Sequence, residues 1–214
     1  MRHIDMATWP RRAHFQLFNS WDHPDFSLTA NVDLTAFYPA VKQRGLSFTV
    51  AMVYVITRVA NSIPEFRYRI RGEDVVEHEI VHPSATFLAD EDLFTFCTVE
   101  YDEDFSEFAQ EAAGKIAHVR EHPTLEDEPG QDDLLFMTAI PWVSFTSFVH
   151  PIAVHGKDSV PKIAWGRFFQ EGELLKMPLN VQAHHALMDG IHVGKFFMGV
   201  QEYLHDPGLA LGEG

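Results

Sequence analysis

Near its end the chain changes period abruptly. Residues 177–184 read as a strand, and from Ile191 onward Gly194, Phe197, Met198, Val200, Gln201 and Leu204 fall at helical spacing. A strand that runs almost directly into a helix belongs to an α/β fold, because the two elements must bury their apolar faces against each other. The junction reads His184-His185-Ala186-Leu187-Met188-Asp189-Gly190-Ile191-His192. Gly190 can take the positive φ of a sharp strand-to-helix turn, and such turns expose the preceding side chains at the rim of a cleft. An imidazole titrates at about pH 6.5, so near neutrality one ring nitrogen accepts a proton while a partner on the other fixes the tautomer. The pair His184 and His185 is therefore either a structural pair or the seat of a general base. A metal site built from His184, His185, Asp189 and His192 is disfavoured, because neighbours on a strand point to opposite faces. No metal is expected.

The rest of the chain fits the same class. Residues 26–34 alternate apolar and polar side chains as a half-buried strand does, and a helix pair should follow. Phe48, Met52, Val55, Ile56 and Val59 recur at helical spacing, and Pro64 stops continuation. Runs rich in β-branched and aromatic residues at 67–70, 75–81, 86–89, 93–99, 134–140, 143–148 and 163–169 read as strands, with a helix at 104–120. Residues 121–133 are acidic, carry two prolines and lack an apolar period, which marks an exposed loop. There is no internal repeat. Residues 1–205 are expected to form a single domain, and 206–214 a loose tail.

Composition excludes several classes. Of 214 residues 46% are hydrophobic, with 18 phenylalanines, enough for a substantial core. Lys and Arg total 16 against 31 acidic residues, and a net charge of −15 repels nucleic-acid phosphates and anionic lipid. Neither a nucleic-acid nor a membrane role is expected. The N-terminus has no apolar signal region, no run approaches the ~20 residues of a membrane span, and the single Cys97 cannot form an intrachain disulfide. A cytoplasmic protein is the simplest reading.

His-His-Ala-Leu-Met-Asp-Gly at 184–190 resembles the HHxxxDG signature of the chloramphenicol acetyltransferase family. Three further blocks carry the resemblance. Trp9-Pro10-Arg11-Arg12-Ala13-His14-Phe15 is similar to the family's opening Trp-x-Arg-(Lys/Arg)-Glu-His-Phe, and Pro141-Trp142-Val143-Ser144-Phe145-Thr146-Ser147-Phe148 to its central Pro-Trp block. Gln170-Glu171-Gly172 with Met177-Pro178-Leu179 resembles the lead-in to the histidines. The blocks keep order and approximate spacing from residue 9 to residue 205. Dihydrolipoyl acyltransferase cores and peptide-synthetase condensation domains share the histidine motif, but the first usually follow lipoyl segments and the second pair two such halves in one chain.

The resemblance implies a two-layer α/β sandwich with a large mixed β-sheet, the coenzyme A-dependent acyltransferase fold, and acetyl transfer from acetyl-CoA to a hydroxyl of chloramphenicol. It implies no permanently bound cofactor, acetyl-CoA being a co-substrate. His185 corresponds to the general base, Asp189 to a structural carboxylate paired with Arg11, and Thr138 to an oxyanion donor that is serine in the family. Trp142 is expected to pack beside the site. Arg167 and Phe168 match the positions beside the coenzyme nucleotide, whereas Ser47 and Thr49 replace a second base and aromatic. The acceptor pocket corresponds to Phe18, Asp22, Phe26, Phe94, Phe96, Phe148 and His150, of which Asp22, Phe96 and His150 depart from the family, as does Ala164 at a water-positioning threonine. A carboxylate and an imidazole in an apolar pocket cost free energy unless each finds a partner or solvent. The same chemistry on another small alcohol, or a non-catalytic binding protein, stays open on this ground. The resemblance also implies a homotrimer with each site between two subunits.

Overall fold

Alternation in sequence becomes two-facedness in a sheet. The computed structural model describes residues 1–89, 92–125, 130–152 and 158–212. In chain order its elements begin with β1 (Arg2–His3), α1 (Arg12–Asn19), β2 (Asp25–Asp33), α2 (Phe37–Gln43) and α3 (Phe48–Asn61). A 3₁₀ turn leads into β3 (Tyr68–Arg71), β4 (Asp74–Glu77), β5 (His82–Leu88), β6 (Phe94–Thr98) and α4 (Phe105–Glu121). The last elements are β7 (Leu134–Ile140), β8 (Lys162–Gly166), β9 (Phe169–Glu171), β10 (Leu174–His184), α5 (Gly190–His205) and α6 (Pro207–Leu211). Seven strands form one sheet in the order β2-β10-β8-β7-β5-β6, with β9 also paired to β10. β7 runs parallel to β5 and β8, and the remaining pairs are antiparallel, so the sheet is mixed.

One face of this sheet is apolar. Val32, Leu179, Val181, Ile163, Trp165, Leu135, Met137, Ala85 and Cys97 are buried in one cluster with α3, α4 and α5. α3 is buried along most of its length, from Val50 to Ala60, and Ser47 caps it by accepting the Val50 N–H at 3.4 Å. α5 crosses α3 closely enough that a Cβ on Gly199 would stand 2.9 Å from Val59 Cγ1. On the opposite face the register aligns Ser27, Gln182, Lys162 and Phe136 across four strands, and next to them Thr29, Asn180, Ala164 and Thr138. That face is polar.

A smaller antiparallel sheet, β1-β4-β3, lies beside α1. Here Phe15, Ile70, Val75, Ala186 and Leu187 form a second buried cluster with Trp9, Phe18 and Tyr68. The loop after β10 therefore inserts Ala186 and Leu187 into this cluster and Met188 into the first.

Several expectations change. α1 has no counterpart in the sequence reading. Residues 143–148 are not a strand: they run along the sheet margin, where Gly166 leaves room for Phe145 and the Val143 carbonyl, each 2.9 Å from where a Cβ would be. The run 163–169 breaks at 167–168 into β8 and β9. The buried stripe of α5 is Val193, Phe196, Val200 and Leu204, while Ile191 and Met198 face solvent. Residues 207–211 are not loose: Asp206 caps α6, and Ala210 and Leu211 are buried in the main cluster. Gly190 does not have a positive φ. It is the first residue of α5, so the turn is made by the residues before it. Within the acidic loop, 126–129 lie outside the described residues.

Candidate active site

The turn 185–189 is held by an arginine from the other end of the chain. The Arg11 guanidinium, 12% exposed, donates through Nε to Ala186 O at 2.9 Å and through Nη2 to His185 O at 2.6 Å. It also grips both oxygens of Asp189, with Nη2 to Oδ1 at 2.6 Å and Nη1 to Oδ2. These bonds hold the Asp189 carboxyl below its ordinary range. The Asp189 N–H donates to Nδ1 of His192, starting α5, and the His184 ring accepts the Ala186 N–H at 3.2 Å from a buried position. His184 and His192 thus shape the turn.

His185 has a different environment. Its Nδ1 faces the Met188 carbonyl at 3.2 Å and Asp189 Oδ1 at 3.1 Å. Both are acceptors, so Nδ1 carries the hydrogen and Nε2 is left with its lone pair. The ring lies flat on Phe18, with centroids 4.1 Å apart and planes within 3°, and touches Phe26 at 4.8 Å. A third of the side chain stays exposed, at 33%. The contacts at Nδ1 fix the tautomer and leave the other ring nitrogen without its hydrogen, which is chemically suited to accepting a proton.

Thr138 lies elsewhere. Its hydroxyl shares a 3.3 Å hydrogen bond with that of Thr86. Thr138 pairs with Ala164, and Ala164 with Asn180, five residues before His185 on the next strand. At about 3.3 Å per residue and about 4.8 Å between strands, Thr138 and His185 of one chain stand nearly 20 Å apart. The acceptor positions divide in the same way. Phe18 and Phe26 gather against His185 at the β2 edge, and Asp22 is exposed in the segment between α1 and β2. Phe94 and Phe96, 5.6 Å apart, are on β6 at the opposite edge.

Phe148 and His150 lie over the polar face. Ser27 donates to the Phe148 carbonyl at 2.8 Å, and the His150 N–H donates to Gln182 Oε1 at 2.7 Å. Beside them, Lys162, which sequence reasoning missed, is 5% exposed, pairs with Asp158 at 2.7 Å and stands over the Phe136 ring. A lysine just before a strand run gives no local signal of facing a site. Trp142 is 64% exposed and so does not fill a packing position within the chain.

At the end of β8, Phe168 packs on Tyr38 at 5.0 Å and Phe48 at 6.3 Å, with Lys42 Nζ 5.5 Å from the Tyr38 ring. Arg167 is exposed beside this cluster, its backbone fixed to the Val143 carbonyl. Tyr38, Phe48 and Lys42 thus form an aromatic and cationic surface next to the Ser47 and Thr49 positions. Among the described residues no helix is long and apolar enough to cross a membrane, and no group of three His, Cys, Asp or Glu could hold a metal.

A mixed sheet backed by helices, with a tautomer-fixed histidine on a turn anchored by an arginine–aspartate pair, defines an acyltransferase of the coenzyme A-dependent fold. Residues 1–201 match the family described as chloramphenicol acetyltransferase, and the chain belongs to that family. It is 31% identical to a chloramphenicol acetyltransferase of Klebsiella sp, over 94% of this chain and 92% of that one. It is 34% identical to chloramphenicol acetyltransferase 2 of Escherichia coli, over 92% and 94%. A solved chloramphenicol acetyltransferase superposes with a TM-score of 0.85 at 27% identity, covering 95% of this chain and 99% of the other.

Proposed function

We propose that the chain acetylates a hydroxyl of chloramphenicol from acetyl-CoA, with His185 of one subunit facing Thr138 of a neighbouring copy in a homotrimer. The observation that carries this reading is the fixed tautomer of His185 on a partly exposed, ring-stacked side chain. Nε2 takes the acceptor hydroxyl proton as its oxygen attacks the thioester carbonyl. The carbonyl becomes a tetrahedral oxyanion, to which the Thr138 hydroxyl donates. Collapse breaks the carbon–sulfur bond, and the departing thiolate recovers the proton from His185, giving acetylated alcohol and free coenzyme A. No covalent enzyme intermediate is needed.

The separation of the two halves within one chain supports a site between copies, since reacting groups must come within about 3.5 Å. Arg167 and Phe168, joined by Tyr38, Phe48 and Lys42, suit the nucleotide end of the coenzyme, bringing local positive charge to an acidic protein. The single, buried Cys97 fits a cytoplasmic setting. The test is thiol release from acetyl-CoA with and without chloramphenicol. Release should depend on the antibiotic and fall ~10³-fold in His185→Ala, whose circular dichroism should be unchanged. Release by His185→Ala at the parental rate would refute the base assignment.

A further inference from the structure

The third residue of α5 ties the turn at 185–189 to an element that the acyl-transfer steps do not use. The Asp189 N–H donates to His192 Nδ1 at 2.9 Å, and a backbone N–H can only donate, so Nδ1 offers its lone pair and the ring hydrogen sits on Nε2. Glu65 Oε1 lies 3.4 Å from that Nε2. The two side chains are only 16% and 22% exposed, so their attraction is weakly screened. Burial holds the His192 imidazole below its ordinary value against the opposing pull of Glu65, which keeps Nδ1 free of a proton near pH 7. Glu65 is itself anchored. It sits in the 3₁₀ turn Pro64–Arg67, where Arg69 Nη1 donates to the Phe66 carbonyl at 3.0 Å and the buried Phe66 ring stacks on Phe196 at 4.9 Å. Phe196 stands four residues beyond His192, so the 3₁₀ turn meets one face of α5 twice, through this stack and through Glu65. Asp189 is therefore held from two sides: Arg11 grips its carboxylate, and His192 its peptide. Its Oδ1 in turn stands 3.1 Å from His185 Nδ1.

We propose that Glu65 and His192 are positioning residues for acetyl transfer: Glu65 orients the His192 ring, the ring holds the Asp189 peptide, and Asp189 sets the angle at which the His185 imidazole works. This rests on the acetyl-transfer reading above. The pair acts through Asp189 and not on the reacting atoms. A ring without Glu65 is freer to turn about its broad χ2 well and presents Nδ1 to Asp189 for only part of the time. Misplacing a reacting group by about 1 Å can cost about 10²-fold in rate, so the loss falls on kcat.

The experiment measures kcat and KM for acetyl-CoA and chloramphenicol by thiol release, in the parent and in variants whose circular dichroism matches it. Glu65→Ala should lower kcat about 3- to 10-fold with both KM values within about 2-fold, and Glu65→Gln, which keeps an acceptor for the Nε2 hydrogen, should restore it. His192→Asn puts an amide oxygen where Nδ1 stood but has no Nε2 hydrogen, and should lose no more than Glu65→Ala. His192→Leu, of the same shape without the acceptor, should lose about 10-fold more. Because Glu65 acts through the ring, Glu65→Ala added to His192→Asn should cost nothing further. If Glu65→Ala fails to fold, Glu65→Asp, whose carboxylate falls one methylene short, takes its place and should lower kcat likewise. Parental kcat in the Glu65 variant, a full second loss in the double variant, or losses confined to KM or the melting temperature overturns this proposal and leaves the acetyltransferase reading intact. A parent without turnover overturns both.

Discussion

The turn at 185–189 and the polar face around Thr138, Lys162 and His150 are built on opposite terms. Arg11 and two apolar clusters over-determine the turn from all sides. On the polar face Ser84 Oγ, Asn180 Oδ1 and His150 Nε2 are buried without hydrogen-bond partners among the described residues, while Phe94 and Trp142 are exposed. The turn is fixed by contacts within its own chain, whereas the polar face is the part that the proposed reading completes from a neighbouring copy. A base must hold its tautomer before substrate arrives, whereas a pocket gains selectivity from bonds that only a ligand satisfies.

The contrast predicts different responses to substitution. After the loss expected for His185→Ala, the largest effect should come from Thr138→Ala, about 10² to 10³-fold in kcat, with Thr138→Ser near the parent. Mixing Thr138→Ala with His185→Ala subunits before refolding should recover about a quarter of the parental rate, since random assembly pairs intact halves at that frequency. Recovery near zero would place both groups on one chain. Next, Arg11→Ala should lower stability by up to about 3 kcal/mol in denaturant melts and depress kcat, because it strands Asp189 and two carbonyls. Melts unchanged by that substitution would mean that the turn holds itself. The smallest effect concerns acid. The Asp189 carboxyl lies below its unfolded value of about 3.9, chiefly through Arg11, so its stabilisation is present above that pH and fades as pH falls through the folded value. The acid limb of a stability-pH curve should therefore flatten in Arg11→Ala.

The turn was legible in the sequence because its chemistry is packed into consecutive residues, and its pairing with Arg11 was legible only through the family resemblance. The central sheet was legible where alternation was clean, as in 26–34. The errors have physical causes. Val143 to Phe148 has a strand's composition, but its aromatics serve the margin of the polar face rather than a ladder. Ile191 and Met198 satisfy helical spacing yet face away from α3, because Gly199 against Val59 sets the rotation of α5. Lys162 could not be singled out, since its importance arises from register with Gln182 and Phe136 across two strand pairings. Tyr38, Phe48 and Phe168 likewise meet only in three dimensions.

The Arg11 clasp also has a timetable. Its partners lie 174 to 178 residues downstream, so a chain made at about 5–20 residues per second carries an unpaired guanidinium and an incomplete Phe15 cluster for some ten to thirty seconds. The turn at 185–189 is thus among the last parts to form, together with β10, on which β2, β8 and β9 all pair.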